Sequence, residues 1–228
     1  MKRNIVLGIT GASGATYAVR LLEVLLAAGC DVHLSISEGG RAVLKEELDL
    51  EVDLDEFEPE MVMPLGGPDP NDEKLQMVRT LAGISTESSN VLSVPSGEPG
   101  KVRYWNFRNW SAAVASGSFL TDGMVVCPCS GGTLSAIVRA TNANLIHRAA
   151  EVHLKEHRKL ILVPRETPLS LVQLENMRRA AEIGAVVLPA MPAFYHGVTT
   201  IQDLVDFVVA RICDQLGIDH ALVRRWGS

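Results

Sequence analysis

Long apolar runs, paired cysteine spacings, a surplus of basic charge and a wealth of aromatic residues are all missing from this 228-residue sequence. The apolar run in "MKRNIVLGITGASG" lasts only about five residues before glycines intervene, which excludes a signal peptide or a membrane span there. The four cysteines, Cys30, Cys127, Cys129 and Cys213, show no disulfide-framework spacing, and the C-P-C of Cys127 and Cys129 is tighter than a C-x-x-C zinc knuckle. Reduced thiols at core positions of a cytoplasmic protein are expected. A formal net charge of −6 argues against a nucleic-acid or anionic-membrane surface. His153 and His157 stand i,i+4, but no third ligand accompanies them or His147, so no metal site is expected. No GK[ST] is present, which excludes a P-loop, and Ile9 fills the middle glycine position of a G-x-G-x-x-G.

What the sequence does contain is apolar matter in α/β order. Hydrophobic residues make up 47% of the chain, enough for one compact domain with a substantial core. Ile5 to Ile9 reads as a strand, then a glycine turn, a helix from about Ala15 to Ala28, a second strand at Asp31 to Ile36 and a helix over Arg41 to Leu48. "KVRYWNF", "MVVCP", "LILVP" and "AVVLPAMP" read as further strands with helical patterns between, and Thr200 to Leu216 as a closing amphipathic helix. The fold class is therefore α/β: a single-domain, doubly wound parallel sheet, a flavodoxin-like or Rossmann-like three-layer sandwich spanning 1–228. Residues 51–100, rich in proline, glycine, serine and acids ("PLGGPDPNDEK", "SVPSGEPG"), read as an irregular surface excursion, partly disordered, with a short helix near Lys74 to Leu81.

The unusual residues gather at strand ends, where such sheets bind ligands. "GITGASG" offers Gly11, Ala12 and Ser13 before a helix N-terminus suited to a phosphate. Ser37 ends the second strand, and the acid beside it, Glu38, keeps a ribose-binding nicotinamide enzyme in view. "CPCSGGTLSAI" sets Ser130 and Thr133 ahead of another helix, either as an ordinary cap or as a second set of hydroxyl and N–H donors. "NLIHRAAEVHLKEHRK" places Arg148 and Lys155 two helical turns apart on one face. "LILVPRETPL" ends a buried strand in Arg165 and Glu166 between prolines: a preorganised anion clamp beside a carboxylate that orients it or handles a proton. Tyr195 and Arg211 add a phenol and a further guanidinium.

These motifs, with "VASGSF", "GAVVLPAMPAFYH" and "DLVDFVVARICDQLGI", resemble the bacterial UbiX flavin prenyltransferases over roughly residues 3–50 and 101–227. The resemblance implies a cytoplasmic homododecamer with FMN between subunits and no metal. It implies transfer of a dimethylallyl group from dimethylallyl phosphate to N5 and C6 of reduced FMN, giving prenylated FMN for a UbiD-type decarboxylase. Carried over by motif, Gly11, Ala12, Ser13, Ser37, Ser130, Thr133 and Arg148 bind FMN. Lys155, Arg165, Glu166, Tyr195 and Arg211 hold the prenyl phosphate, and Glu47 and Trp110 sit over the reacting group. Two alternatives stand beside this: an FMN-dependent cysteine decarboxylase relative, against which Pro192 stands where "PAMN" needs asparagine, and a non-catalytic FMN carrier.

Overall fold

In the computed structural model, which describes residues 2–63, 69, 71–84, 98–195, 197–225 and 227, the apolar runs become strands and the stretches between them helices. The strands are β1 (Asn4–Ile9), β2 (Asp31–Ile36), β3 (Val102–Tyr104), β4 (Gly123–Cys129), β5 (Leu160–Pro164) and β6 (Val186–Val187). The helices are α1 (Ala15–Ala27), α2 (Glu38–Leu48), α3 (Glu73–Leu81), α4 (Gly131–Val138), α5 (Leu145–Lys155), α6 (Leu171–Glu182) and α7 (Ile201–Leu216). All strand pairs are parallel, in the order β3-β2-β1-β4-β5-β6. Strands without alternation suit a sheet covered on both faces. On one face Ile5, Leu7 and Ile9 meet α1 and α7; on the other Val6, Met124 and Val126 meet α4 and α5. The sheet and its two helical layers are the expected flavodoxin-like sandwich.

The order reverses between β1 and β4: the chain winds outward from β1 to β3 on one side, then from β4 to β6 on the other. At such a switch point the loops leave the strand ends in opposite directions and open a crevice. Thr10 ties its two walls together, donating its hydroxyl to Pro128 O at 2.7 Å and accepting from Ser130 N at 2.9 Å.

The surface-excursion reading of residues 51–100 needs correction. Val52, Leu54, Val62, Leu75 and Val78 are all buried in the core shared with α1 and α7. Phe57 stacks on Tyr104 with centroids 4.2 Å apart, and Tyr104 donates its hydroxyl to Leu54 O. The expected short helix is α3, N-capped by Asp72. Composition misled here because a few well-spaced apolar residues suffice to bury a segment whose other residues are polar. The expectation of disorder falls largely on residues 64–68, 70 and 85–97, which lie outside the described residues. Among the described residues no helix is long and apolar enough to cross a membrane.

A buried charge network fastens α3 in place. Arg20 of α1 donates from Nε to Asp206 Oδ1 of α7 at 2.7 Å and from Nη1 to Asp72 Oδ2 at 2.7 Å. Lys74 of α3 reaches Asp206 Oδ2 at 2.8 Å and Asp203 Oδ1 at 3.0 Å. Asp206 is fully buried and Arg20 nearly so. Burial pushes the neighbouring Glu23 carboxyl up, an effect that its bond from Arg20 only partly offsets.

Candidate active site

The crevice begins with glycine at a close approach. A Cβ on Gly11 would stand 3.0 Å from the Gly39 Cα, so the turn after β1 and the start of α2 touch backbone to backbone. Gly14, at φ 118°, caps α1 with no side chain of its own. The missing cap comes from Glu47 near the far end of α2, whose carboxylate accepts from Gly14 N at 2.9 Å and Ala15 N at 2.8 Å. Burial pushes the Glu47 carboxyl up. The Ser13 hydroxyl, the two N–H groups and the Arg165 charge outweigh that and hold it below the ordinary carboxylate range. An anion thus already sits at the α1 N-terminus, where the helix dipole favours one.

Across the crevice Ser130 caps α4, accepting from Thr133 N at 3.2 Å and donating to Thr133 Oγ1 at 3.0 Å. The capping reading of these residues is the one their geometry displays, and nothing lies within 4 Å of a Cβ built on Gly132, so α4 is open at its second residue. Ser37 caps α2 in the same way, accepting from Gly40 N at 3.0 Å. Glu38 is engaged by Arg41 and Arg108. Three helix starts, two of them capped by serine hydroxyls, therefore follow the carboxyl ends of β1, β2 and β4. Such a donor set fits a phosphate-bearing nucleotide ligand.

Arg165 and Glu166 leave β5 beside this crevice. Arg165 is exposed, and its charge is felt by both Glu47 and Tyr17. Burial pushes the Tyr17 phenol up, and Arg165 pulls it the other way. Of the two roles open to Glu166, orienting Arg165 or handling a proton, the first has no contact behind it: among the described residues no ion pair joins the two. Glu166 Oε2 instead accepts from Gln173 Nε2 of α6 at 3.2 Å. The peptide bond from Thr167 to Pro168 is cis. A pocket of about 90 Å³ opens alongside, walled by Arg165, Glu166, Leu169, Met177 and Met191. Tyr195, past β6, stands edge-on to Phe207 of α7 at 5.9 Å, and Trp110 is half exposed in the loop leaving β3.

Three of the expected residues lie elsewhere in the chain. Arg148 donates to Ala115 O at 3.1 Å and to Glu151 at 2.7 Å along the flank of α5. Lys155 closes α5, just before β5 begins, and pairs with Glu156 at 2.8 Å. It is thus at the amino end of the strand whose carboxyl end carries Arg165. Arg211 pairs with Asp214 at 2.6 Å in the half of α7 nearer Leu216, whose carbonyl is held by Arg3 just before β1. One chain therefore assembles the glycine turn, Ser37, Glu47, Ser130, Thr133, Arg165 and Glu166, and leaves Arg148, Lys155 and Arg211 outside the crevice.

Three of the described histidines are held by partners of their own. His33 accepts from Trp105 Nε1 and shares Nε2 with Asn4; His153 bonds Ala149 O and Thr121. His147 is buried against its own helix start, and among the described residues no group of three His, Cys, Asp or Glu gathers as a metal site. Sequence reasoning overlooked Gln173. The signal was present as Ser170-x-x-Gln173, a capping box that places a glutamine at a known point of the first turn.

A family model described as Flavoprotein matches residues 1–213. A curated flavin prenyltransferase UbiX from Halalkalibacterium halodurans is 41% identical over 221 residues, covering 97% of this chain and 92% of its own. Among solved structures, a UbiX complex with FMN and dimethylallyl pyrophosphate matches with a TM-score of 0.75 and 34% identity, over 100% of this chain and 99% of its own. A dodecameric FMN-dependent UbiX-like decarboxylase from Escherichia coli O157:H7 matches with a TM-score of 0.72 and 34% identity, over 99% of this chain and 100% of its own. With this coverage the likeness runs through residues 51–100, which the motifs alone had left aside.

Proposed function

The chain belongs to the UbiX flavin prenyltransferases, and from that membership we propose that it joins the dimethylallyl group of dimethylallyl phosphate to N5 and C6 of reduced FMN. The observation that carries this reading is the crevice itself, where the hydroxyl-capped starts of α2 and α4 and the glycine turn before α1 lie beside the Arg165–Glu166 loop at the switch point. The loops at Gly11–Ser13, Ser37 and Ser130–Thr133 hold the flavin nucleotide. Bound there, reduced flavin supplies a nucleophilic ring nitrogen. Arg165 neutralises charge that grows on the departing phosphate, a role in which a fixed donor outperforms water. Glu166 exchanges a proton with that phosphate, and Glu47 presents its carboxylate from the α1 turn toward the reacting group. Trp110 offers an aromatic face to an allylic cation.

Arg148 and Lys155 complete the phosphate sites from a second copy of the chain, since α5 carries them away from their own crevice. Arg211 and Tyr195 belong to the same phosphate set. The assembly is a homododecamer in the cytoplasm, and the prenylated FMN passes to a UbiD-type decarboxylase. The cysteine decarboxylase alternative loses ground because Pro192 occupies the asparagine position, and His33, His147 and His153 are held by partners of their own. A mere FMN carrier would have no use for the Arg165 and Glu166 side chains beside the cofactor loops.

Equilibrium dialysis tests the cofactor assignment. The protein should retain FMN against excess NAD, because Ile9 denies the pyrophosphate the middle glycine and Glu38 is already paired with Arg41 and Arg108. Displacement of FMN by NAD would contradict it.

A further inference from the structure

We infer that Gln173 is a positioning residue for Glu166, an inference that rests on the function proposed above. The amide of Gln173 is fixed at both ends. Its Oε1 accepts from Ser170 N at 2.8 Å, while Ser170 Oγ accepts from Gln173 N at 3.3 Å, which completes the capping box of α6. A backbone N–H can meet only the oxygen of the amide, so the NH2 is left facing the other way. There it donates to Glu166 Oε2 at 3.2 Å, and a carboxylate can only accept. Turning the amide over would set donor against donor at Ser170 and oxygen against oxygen at Glu166.

The same nitrogen lies 3.3 Å from where a Cβ on Gly131 would stand. Gln173 therefore passes directly over the first residue of α4, and that glycine leaves room for it. The side chain bridges three things: the start of α6, the start of α4 and the Glu166 carboxylate. Glu166 itself is exposed on a loop and is not paired with Arg165, so a single bond from a rigid amide decides where its oxygens point. A proton-transferring carboxylate works only within hydrogen-bond reach of its partner, so its aim limits turnover rather than substrate binding.

Three substitutions separate this role from helix capping. Gln173→Glu keeps the cap, since Ser-x-x-Glu is an equally good capping box, but opposes a carboxylate to Glu166. Gln173→Met loses both contacts without adding charge. Ser170→Ala loses only the capping hydroxyl. With reduced FMN and saturating dimethylallyl phosphate, Gln173→Met should lower kcat about tenfold with KM within about twofold. Gln173→Glu should lose at least as much kcat while keeping the wild-type Tm, and Ser170→Ala should keep kcat while lowering Tm. If Gln173→Glu turned over like the wild type, or if kcat followed Tm across the three, Gln173 would be a cap alone. The wild-type protein is assayed first: if it forms no prenylated FMN, the proposed function fails, whereas an active wild type with an equally active Gln173→Glu overturns only this inference.

Discussion

Arg165→Ala and Lys155→Ala should each lose prenyl transfer, and co-expressing the two variants should restore it. Loss of one charge-assisted contact to the phosphate costs about 1.5–3 kcal/mol, roughly tenfold to a hundredfold in rate. The recovery follows from placement. Arg165 leaves the carboxyl end of β5, while Lys155 ends α5 just before that strand begins. If a working site takes Arg165 from one copy and Lys155 from another, mixed assemblies contain sites with both residues intact. Random pairing of two chain types leaves roughly a quarter of the sites whole, so mixed assemblies should reach about that fraction of wild-type turnover. Recovery no greater than the mean of the two separate variants would place both cations in one chain's site and contradict the composite reading.

Asp206→Ala should be the most destabilising substitution outside the apolar core, at about 3–5 kcal/mol. Asp206 is fully buried and receives Arg20 at 2.7 Å, Lys74 at 2.8 Å and Gln202 at 3.2 Å. Its removal leaves the Arg20 guanidinium in the interior, where one nitrogen already lacks a partner. It also frees Lys74 and weakens the hold on α3. Arg20 keeps Asp72 and Glu23 through Nη1, but its Nε then joins Nη2 without a partner, and a buried donor left unpaired costs far more than a surface pair is useful. Glu182→Ala, which breaks the exposed pair with Arg178 on α6, should by contrast be nearly silent. Urea unfolding of both variants decides this: a loss below about 1 kcal/mol for Asp206→Ala would mean that water or a shifted side chain replaces the carboxylate.

Strands and helices were legible because their signals are local. The run Leu160 to Pro164 became β5, and Asp31 to Ile36 became β2 at the bounds its pattern suggested. The partners of Arg20 were not legible, since Asp72 and Asp206 stand 52 and 186 positions away and only folding brings them together. The burial of Val52, Leu54 and Val62 was missed for a related reason: a segment with no helix or strand period shows no face to the eye. Around the crevice, the residue types in "GITGASG", "CPCSGGT" and "VPRETP" were enough to mark a phosphate-binding edge. Their hydrogen bonds were not. Nothing local to Glu47 says that it caps α1, although the lack of a side-chain cap at Gly14 hints that something must. Likewise the adjacency of Arg165 and Glu166 suggested a pair, yet successive residues leaving a strand point to opposite sides, and Glu166 meets Gln173 instead.

Under the proposed function, the crevice at the β1–β4 switch point carries out prenyl transfer to reduced FMN. Anaerobic incubation of the wild-type protein with reduced FMN and dimethylallyl phosphate, followed by mass spectrometry of the extracted flavin, tests it most directly. The predicted result is FMN heavier by one five-carbon prenyl unit, formed together with free phosphate and accumulating roughly tenfold to a hundredfold more slowly when Arg165→Ala replaces the wild type. Recovery of unmodified FMN alone, from protein shown to have bound it, would contradict the account.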